Sequence, residues 1–202
     1  QYMLISDELN EGVATGPPWK NGPVPLEYAI TGLGPITIRI AEFDYFKKVL
    51  EDAMLMRQTA KDGDTYLFEV GEGGNGGSVI VEYNTVLPRA RQGYGTVHHA
   101  AFRVHDTDVL HEWIDRMSSF GFPTSGYVDR FFFESLYVRV AHGVLFEWAT
   151  DGPGFMGDEP YETVGEILSL PPFLESKRSE IEAQVRPIDT VRSTKTMEKE
   201  YL

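Results

Sequence analysis

The stretch Ile36-Thr37-Ile38-Arg39-Ile40 alternates apolar and polar side chains, which is the pattern of a β-strand with one buried face. From Phe43 to Met54, apolar residues recur at helical spacing and predict an amphipathic helix. Three strand-like runs follow, over 55–59, 65–70 and 78–83, and turns rich in Gly and Asp separate them. The predicted order is therefore β-α-β-β-β.

The same order recurs in the second half of the chain. The pattern predicts a strand over 97–104, a helix over 108–120, and strands over 122–128, 131–140 and 143–149. Similar residues lie 64 or 65 positions apart in the two halves: Arg39-Ile40 with Arg103-Val104, and Ile80-Val81-Glu82-Tyr83 with Leu145-Phe146-Glu147-Trp148. Two pairs of similar segments with nearly the same separation indicate that the unit is duplicated.

These patterns predict an α+β fold in which tandem βαβββ modules form a curved, half-open mixed β-sheet barrel, with the helices outside. We expect five parts along the chain. They are a strand over residues 1–8, a connector over 9–34, a first module over 35–85, a second module over 95–150, and a C-terminal extension with helices over 151–202.

Composition excludes several classes of function. The net charge of −13 argues against a nucleic-acid-binding protein, which needs clustered Lys and Arg to neutralise phosphates. No apolar run approaches the ~20 residues that cross a bilayer. The absence of cysteine excludes disulfides and thiolate metal sites, so that any metal must be bound by His and carboxylates. Without a recognisable signal peptide, the cytoplasm is the expected location.

A histidine and a glutamate in the second unit are candidate metal ligands. His99 lies in the first predicted strand, and Glu147 is the only charge in the apolar run of the last one. A buried carboxylate is costly unless it is paired or binds a metal. Together the two residues would supply two of the three ligands of a 2-His-1-carboxylate triad, which non-haem Fe(II) oxygenases use.

Simpler interpretations remain open from spacing alone. A strand histidine is usually hydrogen-bonded and structural, and a strand glutamate is more often paired with an arginine, here Arg103, Arg130 or Arg139. Glu82, at the repeat-equivalent position, has no histidine in its own unit and is interpreted as structural. The remaining histidines, which are predicted to be solvated, are His105, His111 and His142.

The sequence also resembles the hydroquinone-type ring-cleaving dioxygenases of the glyoxalase/bleomycin-resistance/vicinal-oxygen-chelate superfamily. The likeness covers nearly the whole chain, and the pairing of the His-His strand with the Leu-Phe-Glu strand is its specific part. The stretches that carry it are Pro23-Val24-Pro25, 28–33, Gly95-Thr96-Val97-His98-His99, 129–133, Ser135-Leu136-Tyr137, 143–155, 170–174, and Arg178 with Ile181 and Glu182.

The resemblance implies specific roles at the site. It implies that His99 and Glu147 bind the metal, Fe(II) or alternatively Mn(II), and that His98, Arg130 and Tyr137 act in catalysis or contact the substrate. Trp148 is expected to shelter the substrate ring, although the core is the alternative place for such an aromatic. Strand alternation puts His98 on the face opposite to His99, so that it would need a bulge or an edge position to reach the site.

The implied substrate is a hydroquinone-like or catechol-like aromatic, cleaved with O2. In the resembled family another His ligand comes from an additional N-terminal domain, and no histidine precedes His98 here. We therefore expect residues 1–8 to be the last strand of that domain, with the other ligand supplied by the domain or by a second chain. The chain alone is expected to be inactive, and the whole protein to be a homo-oligomer.

Two other functions remain open on the same scaffold. One is a metal-dependent isomerase or thiol transferase of the glyoxalase or fosfomycin-resistance kind. The other is a metal-free protein that binds a small aromatic molecule. A requirement for a thiol cosubstrate would indicate the first, and tight ligand binding without metal would indicate the second.

Overall fold

The computed structural model describes residues 2–14, 16–88 and 90–195 of the chain. Within these ranges, no helix combines the length and the apolar character that crossing a bilayer requires. The regular elements form two units of the same order, followed by a C-terminal extension.

The first unit contains one α-helix and four strands. Strand β1 spans Ile36–Ile40, helix α1 spans Phe43–Lys48 and continues as a π-helical turn, and the other strands are β2 (Arg57–Asp62), β3 (Thr65–Glu69) and β4 (Ser78–Tyr83). The predicted helix is confirmed, because its apolar side chains Phe46, Val49, Leu50 and Ala53 are all buried. Strand β2 was predicted over residues 55–59 and lies a few residues later, over Arg57–Asp62.

The second unit repeats this order. Its elements are β5 (Ala100–Arg103), α2 (Thr107–Ser119), β6 (Thr124–Asp129), β7 (Glu134–Ala141) and β8 (Val144–Ala149). Helix α2 begins where Asp106 caps it, since the Asp106 side chain accepts a hydrogen bond from the Val109 N–H at 2.9 Å. Strand β5 is shorter than predicted and begins only at Ala100.

Each unit folds into its own four-stranded sheet. The strand orders are β1-β4-β3-β2 and β5-β8-β7-β6, with the first and last strands of each unit parallel and the other pairs antiparallel. The predicted fold class is thus confirmed, with two separate mixed sheets and no closed barrel among the described residues.

One apolar core includes side chains from both units. Phe46 of α1 and Phe146 of β8 are fully buried, with their ring centroids 6.2 Å apart. Polar contacts also join the units: Arg116 of α2 donates from Nε to the carbonyl oxygen of Ala53 at 2.7 Å, and the Tyr45 hydroxyl donates to the Val140 carbonyl at 3.1 Å. These contacts hold the second unit against the first helix.

Some expected elements outside the two units do not form. Residues 2–8 contain no strand, and their apolar side chains are exposed, so the strand predicted over 1–8 is not observed. The stretch 159–169 folds into turns rather than the helix suggested by its pattern. The later helix is present in shortened form, as a 3-10 turn over Pro172–Lys177 followed by α3 over Arg178–Glu182.

Candidate metal centre

The sheet of the second unit has two unlike faces. One face is covered by α2, whose Trp113 stacks on Trp148 of β8 at 5.2 Å between ring centroids. Because side chains alternate along a strand, Glu147 points to the other face. Ala101 on β5 and Tyr137 on β7 are its register partners and share that face. We call the face defined by Ala101, Tyr137 and Glu147 the site face.

His99 and Glu147 meet on the site face. Nε2 of His99 lies 2.7 Å from Oε2 of Glu147, and the His99 side chain is 33% exposed while that of Glu147 is 3% exposed. The other carboxylate oxygen, Oε1, is buried and has no hydrogen-bond partner among the described residues. The pair therefore presents one accessible imidazole and one buried carboxylate with an oxygen that is not satisfied.

The arginines that might have neutralised Glu147 make other contacts. Arg103 donates from Nε to Oδ2 of Asp151 at 2.7 Å, and this bond raises the pKa of the Arg103 guanidinium. The guanidinium of Arg130 lies over the Tyr137 ring, 5.0 Å from its centroid. The simpler interpretation, in which an arginine pairs with Glu147, is therefore not supported for Arg103 or Arg130.

His98 reaches the same cluster as His99. The Nδ1 atoms of the two imidazoles are 2.9 Å apart, and the rings are nearly perpendicular. The expectation that His98 would point to the opposite face is wrong, because strand β5 starts only at Ala100. Both histidines lie in the irregular segment before it, where strand alternation does not apply.

Tyr137 and Arg130 complete the group. The Tyr137 ring is 5.6 Å from the His99 ring in an edge-on arrangement. Arg130 lies in the turn between β6 and β7, where Phe131 adopts φ +71°, a left-handed conformation that is uncommon for an aromatic residue. Asp129 holds this turn by accepting the Phe131 N–H at 2.7 Å. The turn thereby places the Arg130 guanidinium next to Tyr137.

The structure does not bring Trp148 to this cluster. Its side chain is buried on the α2 face, against Trp113 and Phe102. Alternation along β8 gives the reason, since Trp148 directly follows Glu147. The expectation that Trp148 shelters a substrate ring is therefore corrected to a core role.

Residues outside the cluster follow their expected roles. Glu82 is paired with Arg39 at 2.5 Å, as its structural interpretation predicted. His105 lies 2.8 Å from Asp106, and the His111 ring stacks on Tyr127. Within the described ranges, no third His, Asp or Glu joins His99 and Glu147 in a group that could hold a metal.

Two neighbours of the cluster were not identified from the sequence. Ala101 lies directly opposite Glu147 and is exposed. Ser135, two residues before Tyr137 on the same face, has a buried hydroxyl without a hydrogen-bond partner in the described part of the chain. The two-residue spacing from Tyr137 along β7 was the available signal for Ser135. His99 precedes strand β5, so alternation gave no such signal for Ala101.

Comparison with known proteins gives these observations a context. No family model matches the chain. A protein of Bacillus subtilis named "Putative ring-cleaving dioxygenase MhqA" is 40% identical over 193 residues, which are 93% of this chain and 60% of that protein. The chlorohydroquinone/hydroquinone 1,2-dioxygenase of Sphingobium indicum is 31% identical over 172 residues, which are 81% of this chain and 52% of that enzyme.

A solved structure agrees with the sequence matches. The crystal structure of a protein named "putative dioxygenase" from Bacillus subtilis superposes with a TM-score of 0.77 at 33% identity, covering 88% of this chain and 57% of that one. The resemblance to ring-cleaving dioxygenases is thus confirmed over about nine-tenths of this chain. The chain spans somewhat more than half the length of these relatives.

Proposed function

We propose that this chain contributes the metal-binding sheet of a ring-cleaving dioxygenase that acts on hydroquinone-like or catechol-like aromatics with O2. The observation that carries the proposal is the buried Glu147 carboxylate, whose Oε2 meets His99 Nε2 at 2.7 Å while Oε1 has no partner among the described residues. The similarity to the Bacillus subtilis protein named as a ring-cleaving dioxygenase and to the chlorohydroquinone/hydroquinone 1,2-dioxygenase of Sphingobium indicum supports the reaction class.

The residues present fit a divalent cation. Imidazole nitrogen and carboxylate oxygen are the donors that Fe(II) and Mn(II) accept, and a cation would satisfy the carboxylate that the protein leaves half satisfied. We propose Fe(II) as the native metal, with Mn(II) as the alternative. When bound, such a cation supplies Lewis acidity that lowers the pKa of a substrate hydroxyl, together with the redox chemistry needed for O2.

His98 acts by positioning His99 in this proposal. A histidine that binds a metal through Nε2 carries its proton on Nδ1 and donates it to a neighbouring acceptor. Nδ1 of His98, at 2.9 Å, is placed to accept that hydrogen bond. The contact would fix both the tautomer and the ring orientation of His99.

Tyr137 and Arg130 are proposed to bind the substrate. The Tyr137 phenol can donate a hydrogen bond to an oxygen on the substrate ring. Arg130 is exposed and lies over Tyr137, so that its planar group of donors can bind a substrate oxygen anion. Together the two side chains would orient the ring beside the His99–Glu147 pair.

The remaining protein ligand is proposed to come from polypeptide outside the described residues. Two protein ligands leave a cation weakly held, and the relatives are considerably longer than this chain. A further domain or a second chain would supply another histidine and complete the site. The cytoplasm and a homo-oligomeric assembly remain predictions for the whole protein.

Oxygen uptake by the intact gene product, loaded with Fe(II), tests this function on hydroquinones. We expect H99A and E147A each to lower the rate by about 10²-fold or more, and H105A, which changes a histidine outside the cluster, to leave it unchanged. Full activity in both ligand variants would contradict the proposal. Turnover that needs a thiol and no O2 would indicate the glyoxalase-type alternative, and tight ligand binding without metal would indicate the binding protein.

A further inference from the structure

The two sheets place different residues opposite their equivalent glutamates. In the first sheet, Arg39 of β1 is the register partner of Glu82 on β4. In the second sheet, Ala101 of β5 is the register partner of Glu147 on β8. Both pairs join the first and last strands of their unit, which run parallel, so by strand register Ala101 corresponds to Arg39. The sequence offset that matched Arg39 with Arg103 is therefore wrong by two residues in this strand. The position opposite the glutamate carries a guanidinium in the first unit and a methyl group in the second.

The two carboxylates also differ in their partners. Nε of Arg39 lies 2.5 Å from Oε2 of Glu82, so the carboxylate is neutralised by the neighbouring strand. A methyl group at Ala101 offers no donor, and Glu147 is left with His99 on one oxygen and no described partner on the other.

The histidine also has a counterpart in the first unit. His99 lies two residues before Ala101, and Thr37 lies two residues before Arg39 on the same face as Arg39. Thr37 is exposed, as is Ala101. The first unit thus has the carboxylate of the candidate site, a cationic side chain beside it, and no imidazole.

We propose that Ala101 is the residue that keeps Glu147 available to a cation, and that the Arg39 guanidinium occupies the corresponding place in the first unit. The inference rests on the proposed metal site and specifies which neighbour makes it possible. It predicts that an arginine at position 101 would neutralise Glu147 as Arg39 neutralises Glu82.

Titration of the whole chain with Mn(II) tests this inference without enzyme turnover. The EPR signal of the free ion measures how much Mn(II) remains unbound. We expect A101R to weaken Mn(II) binding at least tenfold relative to wild type. The matched variant A101M, with a long but uncharged side chain, is expected to bind within about threefold of wild type. Strand β5 is an edge strand, so a long exposed side chain can be accommodated there.

The controls separate this inference from the proposed function. Mn(II) binding that survives in both H99A and E147A would contradict the metal site itself. Binding that is lost in those two variants but unchanged in A101R would overturn the role of Ala101. Equal weakening in A101R and A101M would show that volume and not charge is decisive, and would also overturn it.

A second variant tests the first unit independently of how A101R folds. The double substitution T37H with R39A removes the guanidinium and adds an imidazole two residues before it. We expect one additional Mn(II) per chain, with an affinity within about tenfold of that of the His99–Glu147 pair, and no addition with R39A alone. A double variant that binds no more Mn(II) than wild type would overturn the proposed place of Arg39.

Discussion

At the scale of single residues, the candidate site is defined by a conflict between burial and charge. Glu147 is buried, contacts the imidazole of His99, and lies in an apolar strand. Such a carboxylate costs stability in the absence of a counter-charge. The metal-free protein should therefore respond in opposite directions to changes at the two members of the pair.

Substitutions at Glu147 and at His99 should change the free energy of unfolding in opposite directions. E147Q removes the buried charge and should raise the free energy of unfolding of the metal-free protein by ~1 kcal/mol. H99A removes the one partner that the described residues give the carboxylate, and should lower the free energy of unfolding by ~1–3 kcal/mol. Urea unfolding in the presence of a chelator measures both, and a destabilised E147Q would contradict this account.

His99 and Glu147 could be predicted from the sequence, but the orientation of the neighbouring His98 could not. A lone glutamate in an apolar strand stands out in any sequence, and the His-His motif carried the resemblance. The orientation of His98 was not predictable by alternation, because the strand begins after both histidines. Where a strand starts depends on which backbone groups pair with β8, and the residue pattern does not show that.

At the scale of elements, alternation along β8 separates the site from the core. Glu147 faces the site and Trp148 faces α2, which explains why two adjacent residues have unrelated roles. The sequence alone could not decide between the two faces for Trp148, since aromatics are common both in cores and around aromatic ligands.

A conservative change at Trp148 tests this division. W148F should lower the free energy of unfolding by about 1–3 kcal/mol, because the stacking on Trp113 is lost and a small cavity is left. The KM for the aromatic substrate in the loaded intact protein should remain unchanged. A raised KM with unchanged stability would restore Trp148 to the substrate pocket.

The loop between β3 and β4 is held by a carboxylate and gives a pH prediction. The Gly74 N–H donates to Glu69 at 3.1 Å, and this bond, with further bonds from the Thr59 and Ser78 hydroxyls, lowers the pKa of Glu69 from its ordinary value. A lowered pKa in the folded state means that the stabilisation is present above the pKa of the unfolded state, and is lost as the pH falls through the folded value.

Glutamine at position 69 should remove this dependence. We expect E69Q to lower the urea midpoint at pH 7 and to flatten its decline between pH 5 and pH 3. E72Q, in an exposed residue of the same loop, is the matched control and should keep the wild-type profile. Identical pH profiles for E69Q and wild type would contradict a role for Glu69 in holding the loop.

At the scale of the whole molecule, the duplicated order of elements was predictable and the arrangement of the two sheets was not. Periodicity identified the β-α-β-β-β order twice, because each unit buries one face of its helix and its sheet. It did not show that the sheets would stay separate, since that depends on which strand edges pair. The connector before β1 was also beyond periodicity, because it is held by isolated contacts such as the Val13 N–H to the Gly73 carbonyl at 2.9 Å.

Arg116 tests how the two units are joined. Its guanidinium, in the last turn of α2, donates to the carbonyl oxygens of Asp52 and Ala53 at the end of the first helix. R116A should lower the free energy of unfolding by about 1–2 kcal/mol, since two carbonyls lose a charged donor. R116K, which keeps the charge and one donor, should recover part of that loss. An R116A variant as stable as wild type would show that the apolar core alone joins the units.

The most direct measurement of the central claim is the position of the metal in crystals of the intact protein loaded with Mn(II). We expect an anomalous scattering peak at ~2.0–2.3 Å from both His99 Nε2 and a carboxylate oxygen of Glu147. A peak bound by other residues, or a fully loaded protein in which His99 and Glu147 still contact each other at 2.7 Å with no metal between them, would contradict it.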